Sequence, residues 1–150
     1  MTQFPHDEFV KEYLPELYRD YGEVTSSAEI PSERKEIDVF FVPTKPVPTT
    51  PETLGLLGKL GQKTCLIEVY RNAIQSEQVR QCLAKLFIVR ENQLKKAKGE
   101  GEKITIEDLP ILWIITPTIS QGILTEFTAQ PKPDWEPGSI FLRKVYILEL

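Results

Sequence analysis

Two acidic residues stand where acids are costly. Asp38 lies between Ile37 and Val39 in the segment Lys35 to Val42, and Glu68 is the one carboxylate in the apolar run Thr64 to Tyr70, TCLIEVY. An ionised carboxylate in such company is unfavourable unless a cation or a metal ion offsets it. If the two segments are neighbouring strands, Asp38 and Glu68 converge on one divalent ion. Oxygen donors of this kind suit a hard cation such as Mg²⁺ or Mn²⁺, and a metal-held water is a reagent for hydrolysis. The alternative is plain ion pairing, with Lys35, Arg71 or Arg80 neutralising either acid. Two cysteines and one histidine, His6, cannot build a four-ligand Cys/His zinc site.

The elements that must position these acids follow from periodicity. Phe9, Tyr13 and Leu17 recur at helical spacing after Asp7, a good N-cap, and Pro15 is expected to kink or shorten that helix before Gly22 ends it. Glu23 to Ile30 reads as a weak strand and Lys35 to Val42 as a stronger one, ended by Pro43. The proline-rich run 43–51 is a stiff surface loop, with Thr50 a candidate cap for a short helix from Pro51 to Gly61. Thr64 to Tyr70 is a strand buried on both faces. A long helix runs from about Ser76 to near Lys96, with Val79, Leu83, Leu86, Phe87 and Leu94 as its inward stripe. Leu112 to Thr116 is a further buried strand, Ser120 to Phe127 a short helix, and Ser139 to Leu142 with Lys144 to Leu150 a closing strand pair.

The 150 residues fit one domain spanning 1–150, with 41% hydrophobic and 27% charged residues as in globular chains. No apolar run reaches the roughly 18 residues of a membrane-spanning helix, and the first residues carry no signal-peptide pattern; a cytoplasmic protein without membrane association is expected. Cys65 and Cys82, among apolar neighbours, are expected as buried reduced thiols. The net charge of −4 argues against coating nucleic acid by charge alone, but leaves room for a local basic strip beside a metal. The apolar segment Val145 to Leu150 reads either as a terminal edge strand that a partner covers, which makes a homodimer a candidate assembly, or as the mark of a truncated reading frame. Trp113 reads as packing and Trp135, among prolines, as a partner contact.

The order of elements, with an aspartate on one hairpin strand and a glutamate on the next, resembles the PD-(D/E)XK nuclease superfamily, and bacterial members in particular. The resemblance spans roughly Asp7 to Thr116. It implies an α/β, restriction-endonuclease-like fold: a central mixed β-sheet flanked by helices, in the order αβββαβ, with a small helical insertion and a terminal strand pair. It also implies Mg²⁺- or Mn²⁺-dependent hydrolysis of DNA phosphodiesters, with Asp38 and Glu68 holding the metal. Members carry a lysine two positions after the glutamate; here that position is Tyr70, so the motif reads Glu68-Val69-Tyr70. In members whose basic group moves to a neighbouring position or helix, the corresponding residues here are Arg71, Arg80 and Lys85. An acid on the first helix, Glu8 or Glu12, is a candidate further ligand, and Gln78 or Gln81 matches a glutamine on the helix after the third strand. The competing expectation is a nuclease-fold module without catalysis that binds a protein or nucleic-acid partner.

Overall fold

The computed structural model describes residues 8–30, 35–131, 139–142 and 145–149. His6, Asp7 and Trp135, singled out above, lie outside the described residues. The first helix, α1, is a π-helical stretch Phe9–Tyr13 running on into the α-helical stretch Leu14–Arg19, with Pro15 near the start of the second part. Pro15 has no N–H to donate, and the wider π turn before it is where the regular ladder gives way.

Among the described residues, seven strands form one sheet: β1 (Gly22–Ile30), β2 (Lys35–Pro43), β3 (Cys65–Val69), β4 (Ile111–Thr116), β5 (Gln130–Pro131), β6 (Ser139–Leu142) and β7 (Val145–Glu149), in the order β1-β2-β3-β4-β7-β6-β5. The pairs β1/β2 and β2/β3 are antiparallel, β3/β4 and β4/β7 parallel, and β7/β6 and β6/β5 antiparallel, so the sheet is mixed. Between the strands lie α2 (Leu56–Leu60), α3 (Ser76–Gly99) and α4 (Gln121–Glu126). The expected order of helix, three strands, helix, strand is present.

Two apolar layers sandwich the sheet. One joins Val39, Phe41, Ile67, Trp113 and Ile115 to Leu14 and Tyr18 of α1 and Leu60 of α2. The other joins Ile37, Leu66, Leu112, Ile114 and Ile147 to Val79, Cys82 and Leu86 of α3. The continuous burial of β3 and β4 follows from this double cover. Gly61 is where α2 meets the first layer: a Cβ there would stand 2.7 Å from the Tyr18 ring.

Several expectations need correction. The inward stripe of α3 runs through Val79, Cys82, Leu86 and Ala97, whereas Phe87 (61% exposed) and Leu94 (38%) face outward; Phe87 lies about 100° round the helix from Leu86. Residues 51–55 form turns, with Thr50 O accepting from Thr53 N and Gly55 N, and the helix starts only at Leu56. β5, at a sheet edge that tolerates Pro131, was not expected. The apolar β7 is not an edge strand: it lies between β4 and β6. Among the described residues no helix is long and apolar enough to cross a membrane.

Candidate active site

The site forms where the ladders around β2 stop. β2 pairs with β3 at Val39↔Ile67, Phe40↔Leu66 and Phe41↔Cys65; continuing that register puts Asp38 opposite Glu68. On the other side, the β1/β2 register skips Ser27 and Asp38. Ser27 has φ +51°, a left-handed conformation that is unfavourable for a residue with a Cβ. The hairpin rolls over at this point. Val24, Val39 and Phe41 belong to the α1 layer, while Ala28, Ile30 and Ile37 belong to the α3 layer.

The two carboxylates occupy the gap. Val69 N donates to Asp38 Oδ2 at 2.9 Å, and Asp38 N makes a long contact of 3.5 Å to Glu68 Oε2. Side-chain oxygens thus replace the backbone carbonyls that a regular ladder would offer to these amides. Glu68 projects to the same side as Leu66 and Tyr70, under α3, and its side chain is 3% exposed.

Lys85 answers that buried acid. It lies in the middle of α3 and its Nζ donates to Glu68 Oε1 at 2.9 Å, with its own side chain 20% exposed. The ion pairing foreseen with Lys35, Arg71 or Arg80 is replaced by this one. Burial pushes the Glu68 carboxyl up, the Asp38 charge adds to it, and Lys85 pulls the other way, leaving the group at about 7. For Lys85, burial favours the neutral amine, but the Glu68 charge and hydrogen bond outweigh it and hold the ammonium above its ordinary range.

Other sequence candidates fall around this centre or away from it. Tyr70 turns its hydroxyl to Cys82 Sγ at 3.0 Å, and burial first, then the Cys82 interaction, raises its pKa, so it does not stand in for a lysine charge. Burial likewise lifts the Cys82 thiol to about 12, and that of Cys65 to about 12; both are free and buried. Arg80 pairs with Glu126 at 2.9 Å on the surface, away from Glu68. Arg71 is exposed and lines a polar cavity of about 580 Å³ at the end of β3, together with Asn72, Gln75 and Gln78. Gln78 closes a capping box, with Gln75 N donating to its Oε1 at 2.9 Å, and Gln81 is exposed. Glu8 and Glu12 are exposed on α1, which packs on the opposite layer. Among the described residues no three His, Cys, Asp or Glu side chains group together, so neither acid joins Asp38 and Glu68.

Comparison with protein-family models, with curated proteins and with solved structures returns no match for this chain.

Two carboxylates on opposing strand positions supply hard oxygen donors, one of them held near neutrality by burial. That fits a divalent cation such as Mg²⁺ or Mn²⁺, which would favour the ionised form of Glu68 that burial resists. The ammonium of Lys85 beside them fits a substrate that carries negative charge.

Proposed function

We propose that the chain is a metal-dependent nuclease of the PD-(D/E)XK type, in which Lys85 supplies from the helix the cation that Tyr70 does not supply from the strand. The observation that carries this reading is the 2.9 Å contact between Lys85 Nζ and Glu68 Oε1, made beside Asp38 at the opposing position. A lysine that reaches the glutamate from a neighbouring helix has the same charge, and the same partner, as one two positions along the strand.

Asp38 and Glu68 would hold Mg²⁺ or Mn²⁺, which when bound supplies an acidified water and positive charge for phosphodiester hydrolysis. Lys85 keeps a proton at Nζ and presents it where charge builds on a phosphate. Removing one donor of this kind costs about 10²–10³ in rate. The apolar residues on either side, Leu66 and Leu86 among them, lower the local dielectric and so strengthen these interactions.

The test is cleavage of single- and double-stranded DNA with Mg²⁺ or Mn²⁺ by the wild type and Glu68→Ala. Metal-dependent cleavage that the substitution abolishes is the expected result; no cleavage, or equal cleavage by both proteins, refutes the proposal.

One observation favours a second reading, a nuclease-fold module without catalysis. Both oxygens of Glu68 already have partners, Oε1 in Lys85 and Oε2 in the Asp38 amide, so the cluster is satisfied without an ion. In that case Mg²⁺ or Mn²⁺ at millimolar concentration leaves the thermal midpoint unchanged, whereas a ligating site raises it.

A further inference from the structure

One face of α3 continues past Lys85 with Val89, Asn92, Gln93 and Lys96, spaced at roughly one helical turn. These residues line a cavity of about 210 Å³ between α3 and the β1/β2 hairpin, which also includes Ile37 and Phe40. Its floor is apolar, made by Ile37, Phe40 and Val89. Asn92, Gln93 and Lys96 of α3 border it, and Glu29 takes part from β1, where its neighbours Ala28 and Ile30 are the residues that face α3. Asp38, Glu68 and Lys85 do not line the cavity, but on each of its two walls a lining residue lies close to one of them along the chain. Ile37 is the chain neighbour of Asp38, and Val89 follows Lys85 by one turn, about 6 Å along the axis.

We propose that this cavity is a subsite for a single unstacked nucleobase of a single-stranded DNA whose backbone passes the Asp38–Glu68–Lys85 cluster. The inference rests on the nuclease reading and specifies its substrate. Four features support it. The volume is below the usual range for drug-sized ligands and suits one flat heterocycle rather than a larger molecule. Phe40 provides an aromatic surface, the common platform for an unpaired base. Asn92 and Gln93, which border the cavity, carry both donors and acceptors for a base edge. Lys96 stands on the rim, where a nucleotide's phosphate would lie. A base in a duplex keeps its edge paired and its faces stacked, and cannot enter such a cavity without being extruded. Single strands are therefore the favoured form.

The experiment is fluorescence anisotropy with end-labelled 12-nucleotide DNA in EDTA, so that binding is read without cleavage. The probes are a single strand, the same strand with one abasic position, and the blunt duplex, with Phe40→Leu and the surface variant Asn92→Ala/Gln93→Ala as protein partners. The single strand is expected to bind about tenfold more tightly than the duplex. The abasic position and Phe40→Leu should each weaken binding about tenfold, and the two losses should not add, since both remove one stacking contact. The amide double variant should weaken the intact strand and leave the abasic one unchanged. Circular dichroism checks that Phe40→Leu is folded. The amide variant carries the test if it is not. Equal affinity for duplex and single strand, additive losses, no effect of the amide variant, or no binding overturns the inference. Base-dependent binding without cleavage in Mg²⁺ or Mn²⁺ leaves the subsite standing and removes the nuclease reading. Cleavage of both forms with no base dependence does the reverse.

Discussion

Burial of Glu68 makes the stability of the fold depend on pH in an unusual direction. Its carboxyl is displaced from 4.5 to about 7, burial being the first cause and the Asp38 charge the second. Between those values the folded protein keeps a proton that the unfolded chain has released, so stability falls as pH rises. At 1.36 kcal/mol for each pH unit the full effect is about 3 kcal/mol, present as a penalty above pH 7 and absent below pH 4.5. Glu68→Gln removes the titrating group while keeping its shape, and leaves Lys85 without its ionic partner to the same degree at every pH. Urea unfolding of both proteins at pH 4.5 and pH 8 isolates the difference. Relative to the wild type, the variant should gain about 3 kcal/mol between the two conditions. Parallel pH profiles would refute the reasoning. A wild type that gains on the variant as pH rises would mean that Lys85 outweighs burial and holds Glu68 ionised throughout.

Moving the cation back to the strand tests its role directly: Lys85→Met should lower metal-dependent cleavage about 10²–10³-fold, and adding Tyr70→Lys should recover part of that loss in the same gel assay. Ser27→Gly should stabilise the protein by about 1 kcal/mol, read as a higher urea midpoint, because glycine accepts the left-handed backbone at φ +51° without a Cβ clash. An unchanged or lower midpoint would show that Ser27 contributes more than it strains.

Much of this arrangement was legible in the residues. β-branched and aromatic density gave β2, the apolar runs gave β3 and β4, and the isolation of Asp38 and Glu68 in those strands marked the acid pair. Lys85 could be nominated only as one of three cations. Which one reaches Glu68 depends on the phase of α3 over the sheet, and Phe87 and Leu94 blurred that phase by offering a second apolar stripe that turns out to face outward. The cavity beyond Lys85 has no clear signal in the sequence, because Asn92 and Lys96 are exposed and read as an ordinary solvated helix face. The rollover at Ser27 had no local signal, because serine is an ordinary strand residue and nothing in its neighbours Ser26 and Ala28 asks for a positive φ. The position of β7 inside the sheet depends on strand order, which apolar character does not encode.

The substitution of carboxylates for ladder carbonyls has a consequence for how the site can be watched. The Val69 amide hydrogen is shielded from solvent exchange by Asp38 Oδ2, and that of Asp38 more loosely by Glu68 Oε2. Anything that changes the charge or orientation of these oxygens, whether a proton, a cation or a phosphate, alters the exchange rate of two specific backbone positions while the flanking ladder at Val39 and Ile67 keeps its own. Deuterium uptake at Asp38 and Val69 thus reports on the state of the two carboxylates, with no dye, cleavable substrate or substitution needed.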